Sequence, residues 1–596
     1  MSFSVEYVPS KDEIFQKSDQ ECWEQAEIFR AIGGVFFDPD FPPNALSLGN
    51  MMFEDDTKDS VNNVWLQPHH LSTSDLRLAQ RDRWHIWEDP WPFHVCQGKA
   101  GNCWLLAALM AISRRKDLLE QIIPRREYTL ECGIVQVRLF VDGKWKVIKT
   151  DFHLPQQNGI EYCAKLPQKQ TWVAFIEKAY AKALGSYGGL HGGHSNDAFK
   201  CLTGNSSRKI DIQKSTEPVV LWNELFSYHT SGFFLAASTR HVEDTDKEEL
   251  ELYKNNNLVK NHAYSILNFQ ILDGHYLIQL GNPHATGLRW SGKWSLVPNY
   301  DLATSQTFSL HDEALSQQKL FWMEMKDFVR FFANIYICEY RSDWKESQFN
   351  QKIRRNSKTD EVTQLVRLEV EKWCELEIEA TQRNEKETNK LFLNIHQSDS
   401  KNQCGKLQIS SKINGSCMKT YLNPGTYLIV VTSFEDLEDL NFDWTIRHSE
   451  PISISFMSSS LSVERVSLMQ GIVKDAECKD DDDVKVYTWR DKDTVLMIVD
   501  NYRRDHYVRV SASIKSTNIK DLKKYNAFDG PVLVPPMSRC LAGQTNCTKD
   551  EKTEWKCEVD SECAVEWSWL STWTSIVQGG VNNIDARDVT PLTEFM

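Results

Sequence analysis

The 596-residue chain carries 68 Lys and Arg against 83 Asp and Glu, a formal net charge of −15, with 41% hydrophobic and 25% charged residues. This acidic balance argues against a nucleic-acid footprint or an anionic membrane surface as the main partner, and the ordinary apolar content argues against long disordered tracts. The length exceeds what one core supports, so three or four domains are expected. The N-terminal stretch MSFSVEYVPSKDEIF lacks a signal-peptide apolar run, and nowhere do 18 consecutive apolar residues occur, so a cytoplasmic protein without membrane insertion is expected. Fifteen cysteines at irregular spacing, with no C-x-x-C pair, suggest reduced thiols rather than a disulfide framework or a zinc ribbon.

Along the chain, residues 20–204 mix helical patterns with loops rich in Trp, Pro and Asp, such as FFDPDFPP and WHIWEDPWPFHVCQG. In QGKAGNCWLLAALMAI, apolar residues recur at near-helical spacing from Trp104, which puts Cys103 at a helix N-terminus. A second helix is expected over TWVAFIEKAYAKALGSY, stopping at Gly185. From 205 to 340 the pattern turns to strands: FFLAAS, HAYSILNFQIL and HYLIQL. Beyond a charged stretch, QLVRLEVEKW, KLFLNIHQ, TYLIVVTSF, KVYTWRD, TVLMIVD and HYVRVSASI suggest two antiparallel β-sandwiches. No EF-hand loop and no fixed-period repeat is found.

A cysteine at a helix N-terminus is favoured as thiolate, the nucleophilic form, by the partial positive charge there. Gln97 stands six residues earlier, and its amide can donate to a developing oxyanion together with the Cys103 backbone N–H. A thiol nucleophile also needs a base and a group that orients the base. His262 opens one strand-like run and Asn282 ends the next, with Asp273-Gly274 as the hairpin turn between them. A two-residue turn would pair Asn282 with Ser265 and put it on the face opposite His262, so a bulge or a longer turn is expected around Asp273-Gly274. His262 follows Cys103 by 159 residues, near the spacing of papain-type chains.

On these residues the chain resembles the calpains, over about 20–340 and more weakly to about 455. The resemblance is carried by QGKAGNCWLLAALMAI, FIEKAYAKALGSYGGLHGGHSNDAF, NHAYSI, GNPHATGLRWSGKWS and FFDPDFPP. It implies an α+β fold: a two-lobed papain-like cysteine protease core, with lobe 1 at 20–204 and lobe 2 at 205–340. A calpain-type β-sandwich at 343–455 and a second β-rich domain at 456–596 would follow. In that scheme Cys103 attacks the scissile carbonyl of a protein substrate, His262 shuttles the proton, Asn282 orients the imidazole and Gln97 completes the oxyanion hole. The segment TYLNPGTYLIVVTSFEDLEDLNFDW resembles the β-sandwich that follows the family's protease core, and the absence of a penta-EF-hand region resembles the atypical calpains.

The family closes its lobes by binding one calcium in each, and here that pattern is eroded. His94 stands where the first lobe supplies an aspartate, while Glu177 is retained, so calcium stays open as a cofactor. Arg289, Leu296, Gln318 and Leu320 occupy second-lobe acidic positions, and that site is expected to be lost. Asn102 replaces an acidic residue before the nucleophile, and His284 replaces an aromatic one after Asn-Pro. Two other readings compete with an intracellular endopeptidase. One is a catalytically silent calpain-like binding protein; the other is a transglutaminase-like acyl transferase, which Asn282 in place of an aspartate disfavours. The acidic clusters Asp480–Asp483 and Glu435–Asp439, the cysteines 540, 547, 557 and 563, and the WSWLSTW stretch carry weaker suggestions of ion binding or contact.

Overall fold

A computed structural model describes residues 9–49, 63–67, 84–157, 160–161, 164–213, 215–284, 289–295, 316–356, 361–382, 391–398, 404–412, 417–433, 439–481, 483–491, 494–504, 506–515, 524–526, 532–546, 554–560 and 589–592. Leu296, the 435–438 cluster, WSWLSTW and two of the four late cysteines lie outside them. The chain divides into two compact units, residues 10–342 and 343–596.

The first unit begins with α1 (Lys11–Ile32), whose N-terminus is a capping box between Ser10 and Glu13. The sequence CWLLAALMAI forms α2 (Cys103–Ile112), of which eight residues are buried. An all-round apolar helix of this kind must run through a core, and α2 is the centre of one. Around it pack α3 (Lys116–Ile122), α4 (Trp172–Ala183), α5 (Ser195–Thr203) and the hairpin of β1 (Val135–Val141) and β2 (Lys144–Thr150). Gly185, at φ 93°, follows α4 as expected of a helix stop. The FFDPDFPP segment is anchored by Asp38, whose carboxylate accepts from Lys182 Nζ of α4 at 2.8 Å through both oxygens.

The strand-rich part forms one antiparallel sheet from β3 (Ser207–Asp211), β4 (Phe234–Thr239), β5 (Ala263–Leu272), β6 (His275–Gly281), β7 (Leu320–Glu324) and β8 (Phe332–Cys338). Its order is β7-β6-β5-β4-β8-β3. One face buries Leu235, Tyr264, Ile278 and Phe321 in a core shared with α6 (Pro218–Thr230) and α7 (Met325–Phe331). Phe234, Ala236, Ala263 and Leu320 belong instead to the core around α2. Contact there is close: a Cβ on Gly281 would lie 2.7 Å from Met110 Cε, so a larger residue there would require the methionine tip to move.

The β5–β6 connection corrects one expectation. Leu272 pairs with His275, so Asp273-Gly274 is a two-residue turn, with φ of 50° and 78° as a primed turn requires. The extra residue is Leu267, six positions upstream, where the register shifts between Ile266 and Asn268. A bulge was expected at the turn because Asp-Gly is the local irregularity visible in sequence. The turn is regular because Asp-Gly already suits a tight hairpin, and Leu267 bulges because its side chain joins the core around α2.

In the second unit two antiparallel layers enclose a core of Ile353, Leu368, Ile378, Ile395, Leu428, Val430 and Trp444. One layer holds β9 (Lys345–Asn356), β11 (Cys374–Gln382), β14 (Met418–Leu422) and β16 (Asp439–His448). The other holds β10 (Glu361–Val370), β12 (Leu391–Ser398), β13 (Cys404–Lys412), β15 (Gly425–Ser433) and β17 (Ile452–Ser460). The layers are joined where β9 pairs with β10 at Arg355–Val362 and Asn356–Glu361. After α8 (Leu461–Asp475), strands over Val484–Asp491, Thr494–Asn501 and Ser538–Asn546 form a further antiparallel sheet.

Candidate active site

Cys103 is the first residue of α2, as the apolar pattern predicts. Asn102 occupies the N-cap position, yet its side chain does not cap the helix; Asn102 Nδ2 donates to Glu177 Oε1 of α4. The first N–H groups of a helix have no intrahelical partner, and here those of Cys103 and Trp104 face the Cys103 sulfur, together with the N–H of Ala263. Burial nevertheless dominates and pushes the thiol above its ordinary pKa. Ala263 directly follows His262, so the thiol lies against the backbone beside the imidazole's own residue.

His262 is buried at the entry to β5, which the chain reaches through Asn261 in a left-handed conformation, φ 50°. Its backbone is pinned from both sides: His262 N donates to Thr239 Oγ1 and Thr239 N donates to His262 O, each at 3.0 Å. His262 Nε2 lies 2.9 Å from Asn282 Oδ1, and Asn282 is 1% exposed. Asn282 Oδ1 also accepts from the backbone N–H of His284 at 2.9 Å. A backbone N–H can pair only with an acceptor, so the atom facing His262 is the amide oxygen and Nε2 must carry the proton. That fixes the tautomer and leaves the Nδ1 lone pair available. Burial lowers the His262 pKa to about 4, partly opposed by the hydrogen bond to Asn282. At neutral pH the imidazole is therefore uncharged and can act as a base.

The Leu267 bulge is what brings this pair together. It shifts the register so that Ser265 faces Gly281; one further step sets Asn282 opposite Tyr264, on the same side of the sheet as His262. His284 stands edge-on to the His262 ring at 5.7 Å, taking up the aromatic position after Asn-Pro.

Gln97 is 7% exposed, and its backbone N–H donates to Pro283 O at 2.8 Å. Its side-chain Nε2 donates to Ala100 O at 2.7 Å, which occupies one of the two amide hydrogens. Gln97 and Cys103 are thus placed on one loop and helix start, and Gln97 is hydrogen-bonded to the residue after Asn282. Lys319 joins the same region: its Nζ donates to Val95 O at 3.0 Å and to Pro283 O at 3.1 Å. The sequence does not flag this residue, since a lysine between the polar Gln317-Gln318 and the apolar start of β7 belongs to no motif.

The positions that the resemblance links to calcium are separately engaged. His94 Nδ1 accepts from Trp91 N at 3.2 Å. Glu177 is fully buried; its Oε2 accepts from Ala164 N at 2.7 Å and its Oε1 from Asn102, and burial raises its pKa to about 7. Arg289 Nη1 donates to Gln317 O at 2.8 Å. Gln318 is exposed and Leu320 is buried. Among the described residues, no group of three or more His, Cys, Asp or Glu side chains converges as a metal site. No described helix is long and apolar enough to cross a membrane.

The sequence profile of calpain family cysteine proteases matches residues 36–339, half of the chain. The chain belongs to the calpain family of cysteine proteases. It is similar to the calpain-type cysteine protease DEK1 of Arabidopsis thaliana, 32% identical over 313 residues that make up 51% of this chain and 14% of that protein. Human Calpain-8 is 29% identical over 348 residues, 56% of this chain and 46% of the relative. The Calpain-2 catalytic subunit of Gallus gallus is 28% identical over 322 residues, 52% and 43% of the two chains. The chain thus spans less than half the length of each of these calpains, and the region matched by the family profile carries Cys103, His262 and Asn282.

Proposed function

We propose that this calpain-family chain is an intracellular cysteine endopeptidase that performs limited proteolysis of protein substrates. Its core is read as papain-like, with one lobe built around α2 and the other on the six-stranded sheet. His262 Nδ1 takes the proton from Cys103 Sγ as the sulfur attacks the scissile carbonyl, giving a tetrahedral intermediate and an imidazolium held by Asn282 Oδ1. The oxyanion is met by the Cys103 N–H and the remaining N–H of Gln97 Nε2. Collapse of the intermediate expels the amine, protonated by His262, and leaves an acyl-enzyme; water, deprotonated by His262, then releases the acid and the free thiol. Asn282 carries no charge, which separates this arrangement from an acyl transferase that relies on a carboxylate.

The observation that carries the reading is the 2.9 Å bond between His262 Nε2 and Asn282 Oδ1, with the tautomer set by His284 N. Casein cleavage by the purified chain, lost in Cys103→Ser together with labelling by a thiol-directed epoxide, tests it; wild-type-like cleavage by Cys103→Ser would overturn it. A second reading, a silent calpain-like binding protein, is favoured by the burial that holds Cys103 as thiol and His262 as neutral imidazole. Failure of the epoxide to label the native protein, with labelling restored on unfolding, would select it.

A further inference from the structure

Lys319 stands immediately before β7 and is 3% exposed. An ammonium has three donors and no acceptor, and burying it is tolerable only if those donors are met. Two go to Val95 O and Pro283 O, and Cys96 Sγ is a third hydrogen-bonding neighbour. The groups around it are carbonyls and a thiol rather than carboxylates, with Lys165 as a nearby like charge. Val95 and Cys96 lead directly into Gln97, and Pro283 directly follows Asn282. Two backbone bonds complete the junction: Gln97 N donates to Pro283 O at 2.8 Å, and Asn282 N donates to Lys319 O at 3.0 Å. A single lysine therefore ties the oxyanion-hole segment to the segment that orients the catalytic histidine.

The calcium donor set is not its equal. Calcium takes roughly six to eight oxygen ligands. Here both oxygens of Glu177 are committed to Asn102 and Ala164, His94 presents a ring nitrogen already bonded to Trp91 N, and Arg289 brings a positive charge. Those residues do not fit a hard cation.

We propose that Lys319 is a positioning residue that holds the two lobes of the site closed from within, so that assembly of Gln97, Cys103, His262 and Asn282 in this chain requires no calcium. The inference rests on the endopeptidase reading for the meaning of closure, though not for its geometry. Its test is Lys319→Met, which keeps length and apolar stem and removes the three donors, beside Lys319→Gln, which keeps two donors without charge. Amide hydrogen exchange at Gln97 and Asn282 is expected to quicken about tenfold or more in Lys319→Met and less in Lys319→Gln. The amides of α2 and β5 should keep wild-type protection.

The turnover number per titratable Cys103 is expected to fall about 10- to 100-fold with KM within about threefold, a split that a lower folded fraction alone would not give. Wild-type exchange and turnover are expected to be the same with calcium and with a chelator. Unchanged exchange and turnover in Lys319→Met would overturn the proposal. Wild-type exchange at Gln97 that slows only when calcium is added would overturn it as well. If Lys319→Met fails to fold, Lys319→Gln and the wild-type calcium comparison decide the matter. If the wild type cleaves nothing and takes no epoxide, the endopeptidase reading fails while exchange at Gln97 still judges the latch.

Discussion

His262 and His396 invite comparison because almost every local property matches. Both are buried, and burial brings both imidazoles down to a pKa of about 4. Each bonds a polar side chain through Nε2: His262 to Asn282 Oδ1 at 2.9 Å, His396 to Ser467 Oγ at 2.7 Å. The second cluster even assembles a serine, a histidine and an asparagine, since Asn394 Nδ2 donates to Ser467 Oγ at 3.0 Å. Its bonds run in the wrong order for chemistry. The amide serves the serine instead of orienting the imidazole, and Asn394, His396 and Ser467 all lie at 0% exposure where β12 meets α8. A depressed pKa with hydrogen-bond partners therefore marks burial; a site needs in addition a nucleophile that a substrate can reach, and Cys103 is partly exposed where Ser467 is sealed.

The sharpest way to break this contrast is to remove each nucleophile type. Cys103→Ala is expected to lower turnover of a protein substrate by at least about 10⁴-fold, whereas Ser467→Ala leaves turnover per folded molecule unchanged; steady-state kinetics with active-site titration would show it. If Ser467→Ala also abolished cleavage at full folding, the two clusters would not differ as argued.

The next effect concerns acid stability. Each imidazole is harder to protonate folded than unfolded, so the unfolded chain binds more protons between about pH 4 and 6.5. The stabilisation is complete above 6.5 and is lost as pH falls toward 4, by about 3 kcal/mol per histidine. His396→Gln should remove that part of the acid-side loss carried by the second unit, measured by denaturant unfolding from pH 7 to 4. The same depressed pKa places the acid limb of kcat/KM near that of folded His262, below about pH 5, rather than at 6.5.

A smaller effect separates the two asparagines. Asn282→Ala frees the imidazole and leaves His284 N without its acceptor, so it is expected to cost about 10- to 100-fold in kcat as well as about 1–3 kcal/mol of stability. Asn394→Ala should cost about 1–3 kcal/mol of stability but leave kcat alone, which thermal unfolding and kinetics on the same samples would distinguish.

Much of this was legible in the sequence, for reasons that differ by element. The apolar run after Cys103 determines where α2 starts, because an all-buried helix leaves little freedom at its N-terminus. The two strand patterns brought His262 and Asn282 to one hairpin, and face parity alone demanded an irregularity between them. What parity could not supply was its location, since Leu267 bulges to satisfy packing against α2 from a distant part of the chain. Lys319 was illegible for the same reason: its partners, Val95 O and Pro283 O, are backbone atoms that only folding brings together. Asn102 was legible only as the replacement of an acidic residue before the nucleophile; its role as donor to the buried Glu177 carboxylate depends on a partner 75 residues away that only folding brings near.

The bulge at Leu267 also makes the count of residues in this hairpin a chemical parameter. Removing Leu267 itself would leave Ser265 opposite Gly281 and Asn282 one step on opposite Tyr264, so the pair would keep its common face; drawing Leu267 into the ladder at full length would instead set Asn282 opposite Ser265, on the side of the sheet away from His262. Variation in this family member is therefore constrained by arithmetic as well as by side-chain type: loss of the bulged leucine can be absorbed, whereas a slip that pairs it into the ladder would erase the site while leaving every named residue in place.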